Sequence, residues 1–333
     1  MLRRLATTAP LLLLTSCQGW QSALDTHGPA AQDLERLFWI FLAVLAAVWV
    51  LTNGAFLLSL RRRRPEGADP LATDPARERR MGWTVGIAVS LTFVVVLTFT
   101  GLSYSAQKQL FGHRDGILTI KVTGHQWWWQ IDYEDPEPSR SFTTANEIRI
   151  PVGEPVLLKL ESADVIHSFW VPSLTGKMDL ITGRQNLLQI QADREGVYRG
   201  QCAEFCGWQH AHMGILILAR PKPEFDAWRE QQLKAAETPQ DPERRRGEEI
   251  FLSKPCIMCH EVRGTPAGGK VGPDLTHVGS RRYIASGTLP TTRGSLAAWI
   301  TDPQRIKPGV HMPLVPLEPD QVNPLASYLE GLK

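Results

Sequence analysis

The chain has 333 residues, enough for about two or three domains, and its formal net charge is only +2. A charge so close to zero argues against a nucleic-acid-binding protein and against a strongly acidic substrate. Hydrophobic residues make up an ordinary 43% of the sequence, but they are concentrated near the N-terminus. This uneven distribution predicts a membrane-associated N-terminal region followed by more polar domains.

The first segment predicts a secretory signal. Arg3 and Arg4 precede the apolar run 11–14, and small residues follow up to Cys17. That order is typical of a signal peptide, and the sequence Leu-Thr-Ser-Cys resembles a bacterial lipobox. The resemblance implies that residues 1–16 are removed and that Cys17 carries a lipid. An ordinary signal peptide with a chance cysteine is the alternative.

Two long apolar stretches predict a transmembrane hairpin, which we place within residues 17–110. Leu37 to Leu60 and Met81 to Gln107 contain no charged residue, and each exceeds the roughly 20 apolar residues that span a bilayer. Short basic loops stay in the cytoplasm. The loop here holds seven arginines, which are Arg61, Arg62, Arg63, Arg64, Arg77, Arg79 and Arg80. Both ends of the hairpin should therefore lie on the outer face of a bacterial plasma membrane.

From residue 117 the long apolar stretches give way to short alternating runs punctuated by Gly and Pro. Strands are predicted at Ile117–Val122, Glu147–Ile150, Val156–Leu160, Leu187–Ile190 and Ile215–Leu218. About 100 residues of this kind predict an antiparallel all-β sandwich or barrel. We place this domain at residues 111–222.

Potential metal ligands lie within this β-rich region. His167 follows a strand-like run, and Cys202, Cys206, His210 and Met213 occupy one short stretch. Thiolates, imidazoles and a thioether favour copper or zinc over hard cations. Structural zinc is one alternative, although it prefers compact ligand pairs and has little use for methionine. A disulfide between the two cysteines is the other, because an exported domain can be oxidised.

These segments resemble subunit II of the haem–copper oxidases. Cys202–Gly207, with His210 and Met213, resembles the family's dinuclear copper (CuA) loop. Ile166–Leu174 is similar to its first copper-histidine segment, and Gly124–Trp129 to its aromatic stretch. The likeness includes the hairpin and spans roughly residues 30–220. It implies a cupredoxin-like domain that carries two coppers.

The resemblance also implies a role for each residue of the copper site. The ligands would be His167 and His210 through imidazole, Cys202 and Cys206 as bridging thiolates, and Met213 and the Glu204 carbonyl as weak axial ligands. The carboxylate of Glu204 would be free for a magnesium ion at the boundary with subunit I, or would only stabilise a turn. A carboxylate suits such a hard cation.

Trp127 matches the aromatic residue through which electrons enter this family's copper site. Core packing is the alternative, since Trp128 and Trp129 follow directly. Glu78 lies just before the second apolar stretch, where family members carry an acidic residue for proton uptake. Thr182 stands where the family commonly has proline, and it is not a ligand.

The last part of the chain carries a haem-attachment sequence. A polar helix and a linker are predicted within residues 223–242, and Cys256-Ile-Met-Cys-His260 follows. In this motif the two thiols, of Cys256 and Cys259, form thioethers with haem c, and the histidine is the proximal iron ligand.

The whole of residues 243–333 resembles an all-α class I cytochrome c. The resemblance places Met312 as the distal iron ligand, with His311 and His277 as the competing candidates. A helix is predicted at Gly247 to Leu252. A C-terminal helix is predicted at Pro319 to Leu332, with Leu325, Tyr328 and Leu329 packed on the core.

The order of hairpin, copper domain and cytochrome domain resembles subunit II of caa-type cytochrome c oxidases, multi-domain membrane proteins. It implies a path from an external cytochrome c, or from a quinol–cytochrome c reductase, to the chain's own haem c. Copper would then pass electrons to subunit I for dioxygen reduction and proton translocation. The electron-input chain of another reductase, such as one acting on nitric oxide, and a copper carrier are the alternatives.

Overall fold

The computed structural model describes residues 19–61, 74–110 and 117–333. The predicted signal sequence, Cys17 and the loop arginines 62–64 lie outside the described residues. The chain divides into two compact units. One unit is Gln32–Leu110, and the other combines Met1–Ala31 with Phe111–Lys333.

The first unit is a pair of long helices, α1 (Pro29–Arg61) and α2 (Pro75–Leu110). Both are long and apolar enough to cross a membrane, which agrees with the predicted hairpin. Phe41 of α1 stacks on Phe99 of α2 with their ring centroids 3.9 Å apart. Within their apolar stretches the helices expose many large hydrophobic side chains, which fits helices that face lipid. One example is Trp49, which is 67% exposed.

The β-rich region is a sandwich of two five-stranded sheets. One sheet has the order β3-β2-β1-β5-β8 and the other the order β4-β10-β9-β6-β7. The strands are β1 Leu118–His125, β2 Trp128–Glu134, β3 Phe142–Ala145, β4 Glu147–Pro151, β5 Val156–Ser162, β6 His167–Trp170, β7 Met178–Leu180, β8 Asn186–Ile190, β9 Gly196–Cys202 and β10 Gly214–Arg220.

The sheets are not purely antiparallel, and the prediction was wrong on this point. β1 runs parallel to β5, and β4 runs parallel to β10. The reason is that β4 crosses to the second sheet before β5 returns to the first, so β5 enters beside β1 in the same direction. The predicted runs correspond to β1, β4, β5, β8 and β10.

The core of the sandwich lies between the two sheets. Alternate residues of β2 point inward and bury Trp129, Ile131 and Tyr133 completely. Phe169 of β6 faces them from the other sheet, edge-on to Trp129 at 6.1 Å between ring centroids. These aromatic side chains give the sandwich a rigid interior behind the ligand residues.

The C-terminal region is helical, as predicted, apart from a two-residue pairing of β11 (Tyr283–Ile284) with β12 (Leu289–Pro290). Its helices are α3 Lys222–Leu233, α4 Pro242–Ser253, α5 Cys256–Cys259, α6 Arg293–Thr301, α7 Pro303–Ile306 and α8 Pro319–Gly331. α4 begins earlier than predicted, because Asp241 caps it by accepting from the Arg244 amide and Pro242 occupies its first turn.

The core of this region forms where α8 packs on α4. Gly247 permits the close crossing, because a side chain there would overlap the Pro324 carbonyl. Leu325, Tyr328 and Leu329 are at most 4% exposed. Their burial confirms the packing predicted for the C-terminal helix.

Candidate copper centre and haem pocket

The predicted copper ligands come together at one end of the second sheet. Cys202 ends β9 and β10 begins at Gly214, so the connection between two neighbouring strands carries Cys206, His210 and Met213. His167 is remote in sequence, but it begins β6, and β6 pairs with β9 through Phe169 and Cys202. Sheet pairing therefore delivers the distant imidazole to the thiols.

The sulfur and nitrogen atoms of the site nearly touch. The Cys202 and Cys206 sulfurs lie 3.7 Å apart. His167 Nδ1 is 3.8 Å from the Cys202 sulfur, and His210 Nδ1 is 3.7 Å from the Cys206 sulfur. The Met213 sulfur is 3.9 Å from the Cys206 sulfur. Each thiol thus has its own imidazole, and the two halves meet at the sulfur pair.

Two further contacts complete this set of donor atoms. The Cys202 sulfur lies 3.2 Å from the Glu204 carbonyl oxygen, which places that oxygen beside the sulfurs. Asp164 Oδ1 lies 2.7 Å from His167 Nε2, so Nδ1 is the ring nitrogen left to face Cys202. A carboxylate that orients a ligating histidine is a common second contact in metal sites. Sequence reasoning missed Asp164, although it stands only three residues before His167.

The two thiols share a proton unequally. The hydrogen bond from Cys206 lowers the pKa of the Cys202 thiol, and His167 acts in the same direction against burial. The bond to Cys202, together with burial, raises the pKa of the Cys206 thiol. One thiolate is therefore already favoured, and a bound cation would displace the remaining proton.

The donor set fits a soft metal. His167, Cys202 and Cys206 offer ligand atoms within 4.8 Å of one another, and all three residues are buried. They are the one such group of His, Cys, Asp or Glu in the parts of the chain that the structure describes. The buried Met213 thioether adds a donor that suits copper better than zinc.

The cytochrome region contains an apolar cavity of about 400 Å³. Cys256, Cys259, His260, His311 and Met312 all line it. The two cysteines of the attachment motif therefore share one cavity with His260 and with two of the candidates for the distal ligand, His311 and Met312.

The proximal histidine is held in one orientation. His260 Nδ1 donates to the Pro273 carbonyl over 2.7 Å, which leaves Nε2 for an iron atom. Burial lowers the pKa of His260, so the neutral ligand form is favoured. Gly272 is needed beside it, because a Cβ there would lie 2.7 Å from the ring. A pocket with these residues and apolar walls fits a covalently attached haem.

His277 does not line the cavity. It is 3% exposed, and its Nε2 lies 3.2 Å from the Lys234 carbonyl, in the segment that follows α3. This candidate for the distal ligand is therefore tied to the linker. Met258, inside the attachment motif, is 71% exposed.

Comparison with known proteins agrees with both domains. Residues 118–220 match the family described as cytochrome c oxidase subunit II, periplasmic domain, and residues 245–333 match the cytochrome c family. Cytochrome c oxidase subunit 2 of Alkalihalophilus pseudofirmus is 38% identical over 329 residues, covering 97% of this chain and 94% of the relative. The chain belongs to the cytochrome c oxidase subunit 2 family. It is the electron-input component of an oxidoreductase.

Two other relatives with the same name support the assignment. The subunit of Bacillus sp. strain PS3 is 32% identical over 289 residues, covering 82% of this chain and 79% of the relative. That of Bacillus subtilis is 28% identical over 348 aligned positions, covering 99% and 96%. The match extends through the C-terminal domain, so fusion of the copper domain to a cytochrome is shared with these relatives. In the present chain, the subunit II domain implies copper, and the cytochrome c domain implies haem.

The three consecutive tryptophans of this subunit 2 have separate environments. Trp127 Nε1 donates to the Cys206 carbonyl over 2.9 Å, and the side chain is 8% exposed. Trp128 stacks on His125 at 4.4 Å between centroids, and Trp129 lies in the core. Of the three, Trp127 contacts the copper loop and also lines the haem cavity.

The Glu204 carboxylate faces a different environment from its carbonyl. It is partly exposed and lies 3.8 Å from Lys177 Nζ. The described residues place no second carboxylate with it in a metal cluster.

Proposed function

We propose that this subunit passes electrons from a haem c in its cytochrome domain, through a dinuclear copper centre in its sandwich, to subunit I of a cytochrome c oxidase. Subunit I would reduce dioxygen to water and translocate protons. One observation carries the proposal: the haem cavity and the copper loop meet at Trp127. This residue lines the cavity and donates to the Cys206 carbonyl.

The copper centre would use the donors described above. When bound, the copper pair supplies a one-electron carrier whose charge is shared between two ions. The chain's part is to hold the donors rigidly and to exclude water. The ligands would be His167, Cys202, Glu204 through its carbonyl, Cys206, His210 and Met213. Asp164 fixes the His167 ring, and the strands on either side of the loop limit movement of the sulfurs.

The cytochrome domain would bind its haem covalently through Cys256 and Cys259. His260 would ligate the iron through Nε2, and Met312 would ligate it from the opposite side. Histidine–methionine ligation raises a haem potential, which suits a one-electron donor to copper or an acceptor from an external donor. We favour Met312 over His311 because the likeness to class I cytochrome c places a methionine here.

The membrane assignment follows from the hairpin. α1 and α2 would cross a bacterial plasma membrane with both soluble domains on its outer face, and a lipid on Cys17 would add an anchor. External cytochrome c, or a quinol–cytochrome c reductase, would supply electrons. Glu204 would contribute to a magnesium site beside subunit I, and Glu78, in the first turn of α2, would assist proton uptake.

The proposal is tested by metal and haem analysis of the full-length chain, with optical and electron paramagnetic resonance spectra. We expect two coppers and one covalent haem per chain, with a mixed-valence copper signal. One copper, zinc, or a Cys202–Cys206 disulfide without copper would contradict the dinuclear assignment.

A pair of neighbouring histidines sharpens the test. His210→Ala removes the imidazole proposed as a copper ligand. His212→Ala instead removes an exposed imidazole that contacts the Gln209 side chain. Only the first should disturb the copper signal. Equal effects of the two variants would mean that the loop, and not a His210–copper bond, controls metal binding.

A further inference from the structure

Lys307 is a buried lysine, and no carboxylate in the described parts of the chain lies within salt-bridge distance of it. It lies between α7 and Met312, and the residue is 2% exposed. Its Nζ donates to the Trp127 carbonyl over 2.8 Å and to the Ala285 carbonyl over 3.3 Å. Lysine is almost never fully buried unless it is paired, because removing its charge from water is costly. Because burying a lysine is costly, we looked for what the Lys307 amino group does at this position.

The two acceptors lie in different domains. Trp127 belongs to the copper domain, in the turn between β1 and β2, whereas Ala285 follows β11 of the cytochrome domain. One amino group thus ties the loop that leads to Met312 to the backbone of Trp127, the tryptophan that contacts the copper loop. Ser286 adds to the joint, since its hydroxyl lies 3.1 Å from the same Trp127 carbonyl.

The residues after Lys307 continue along the copper loop. The Pro308 carbonyl accepts from Gln209 Nε2 over 2.7 Å. A Cβ on Gly309 would lie 3.5 Å from the Trp208 ring, and the His311 ring centroid is 6.0 Å from that of Trp127. The segment 307–311 is therefore in contact with the copper domain along its length.

We infer that Lys307 is a positioning residue for electron transfer between the two domains, holding the Met312 loop against Trp127. This inference rests on the proposed function. It implies that the chain's own cytochrome occupies the face around Trp127, so that an external donor must deliver electrons to the cytochrome domain instead.

The covalent linker alone would not fix the orientation of the two domains, so a specific contact such as that of Lys307 is needed as well. A linker raises the effective concentration of one domain near the other but does not select a face. Electron tunnelling slows steeply with distance, so a fixed face is needed for a fast and uniform rate. The step moves one electron from ferrous iron to the oxidised copper pair. No bond forms or breaks, no proton is transferred, and Lys307 affects only separation and orientation.

The test is Lys307→Met in the full-length subunit within its oxidase. Methionine keeps much of the side-chain length and removes the donor. We expect haem-to-copper electron transfer after pulsed photoreduction to slow by about tenfold or more, since small misplacements of reacting groups have effects of this order. Hydrogen exchange should become faster in segments 127–129 and 307–312, while the haem and copper spectra and potentials stay unchanged.

Lys254→Met is the matched control. Lys254 Nζ also donates to a backbone carbonyl, that of Pro316 over 3.0 Å, but both residues belong to the cytochrome domain. This variant should leave the transfer rate and the exchange of segment 127–129 unchanged. An equal slowing in both variants would assign the effect to general loss of stability and overturn the inference.

Three further outcomes decide the matter. Intact spectra with an unchanged transfer rate in Lys307→Met would overturn the positioning role. If that variant loses haem or copper, Ser286→Ala is measured instead, and it must slow transfer for the inference to stand. Absence of haem-to-copper transfer in the unaltered protein would instead overturn the proposed function, which separates the two failures.

Discussion

The copper centre and the haem pocket are built in different ways. The candidate copper donors lie within 4 Å of their neighbours and come from one domain, and all but the half-buried His210 are buried. The haem pocket is a void of about 400 Å³, and its wall includes Trp127 and Trp128 of the other domain. A small ion needs only converging donors, whereas a large prosthetic group must replace part of the core. The copper domain should therefore fold without its metal, and the cytochrome domain should depend on its haem.

The strongest test of this contrast is to prevent haem attachment with Cys256→Ser and Cys259→Ser together. Without haem, the apolar walls of a cavity of about 400 Å³ lose their packing partner, and unfilled space in a core is destabilising. The stability of a whole domain is only about 5–15 kcal/mol, so this loss should destabilise the whole domain. Hydrogen exchange should show loss of protection in α4 and α8, with the sandwich still protected. Native protection of α8 without haem would contradict the contrast.

The converse variant is Cys206→Ser. It should abolish the copper signal because a thiol that would hold the copper is lost, yet leave the sandwich folded on its buried aromatic core. We expect a destabilisation of only about 1–3 kcal/mol, as for a typical buried substitution. Copper content and thermal unfolding are the measurements. Collapse of the sandwich together with copper loss would show that the metal, and not the core, holds this domain together.

The sequence predicted the features that depend on residue type and spacing. Cys202, Cys206, His210 and Met213 are close in the chain, and the attachment motif is contiguous, so both sets of candidate ligands could be recognised from spacing alone. The uncharged stretches likewise predicted α1 and α2. These patterns are local, and each follows from the chemistry of one element or one loop.

The features that the sequence did not predict depend on contacts between distant segments. The parallel pairing of β1 with β5 follows from the crossing of β4 to the other sheet, which no local pattern records. Nothing in the neighbours of Lys307 indicates that its amino group meets a carbonyl 180 residues away. The sequence also did not predict how deeply Trp127 is buried, because residues of the cytochrome domain such as Gly309 and His311 pack against it.

A smaller effect is expected from Met312→Ala, which probes one face of the haem pocket. Loss of a thioether ligand should lower the haem potential, since methionine ligation raises it. The haem would stay attached through its thioethers, and the copper spectrum should not change. A redox titration of the haem is the measurement.

His311→Ala is its matched control, because His311 is adjacent and also lines the cavity. It should leave the haem potential close to that of the unaltered protein. A large shift in the histidine variant, with none in Met312→Ala, would reverse the assignment of the distal ligand.

The smallest expected effect concerns pH and the joint between the two regions. Burial lowers the pKa of Lys307 to about 7. In the separated state the lysine is solvated and returns towards its ordinary pKa of about 10.4. Between these values the docked state binds fewer protons than the separated state, so docking strengthens as pH rises, by at most about tenfold per pH unit. Below about pH 7 this contribution no longer changes.

The pH dependence of docking can be measured by urea titration at about pH 7 and about pH 9. The quantity compared is the urea concentration at which fast haem-to-copper transfer is lost. The midpoint should be higher at the higher pH in the unaltered protein. Lys307→Met has no titrating amine at the joint, so its urea midpoint should not increase from about pH 7 to about pH 9. Lys254→Met keeps Lys307, so its midpoint should still increase. A midpoint that falls with rising pH in the unaltered protein would mean that the charged lysine is the form that holds the domains together. The two regions would then be joined by charge and not by a neutral amine shared between backbone carbonyls.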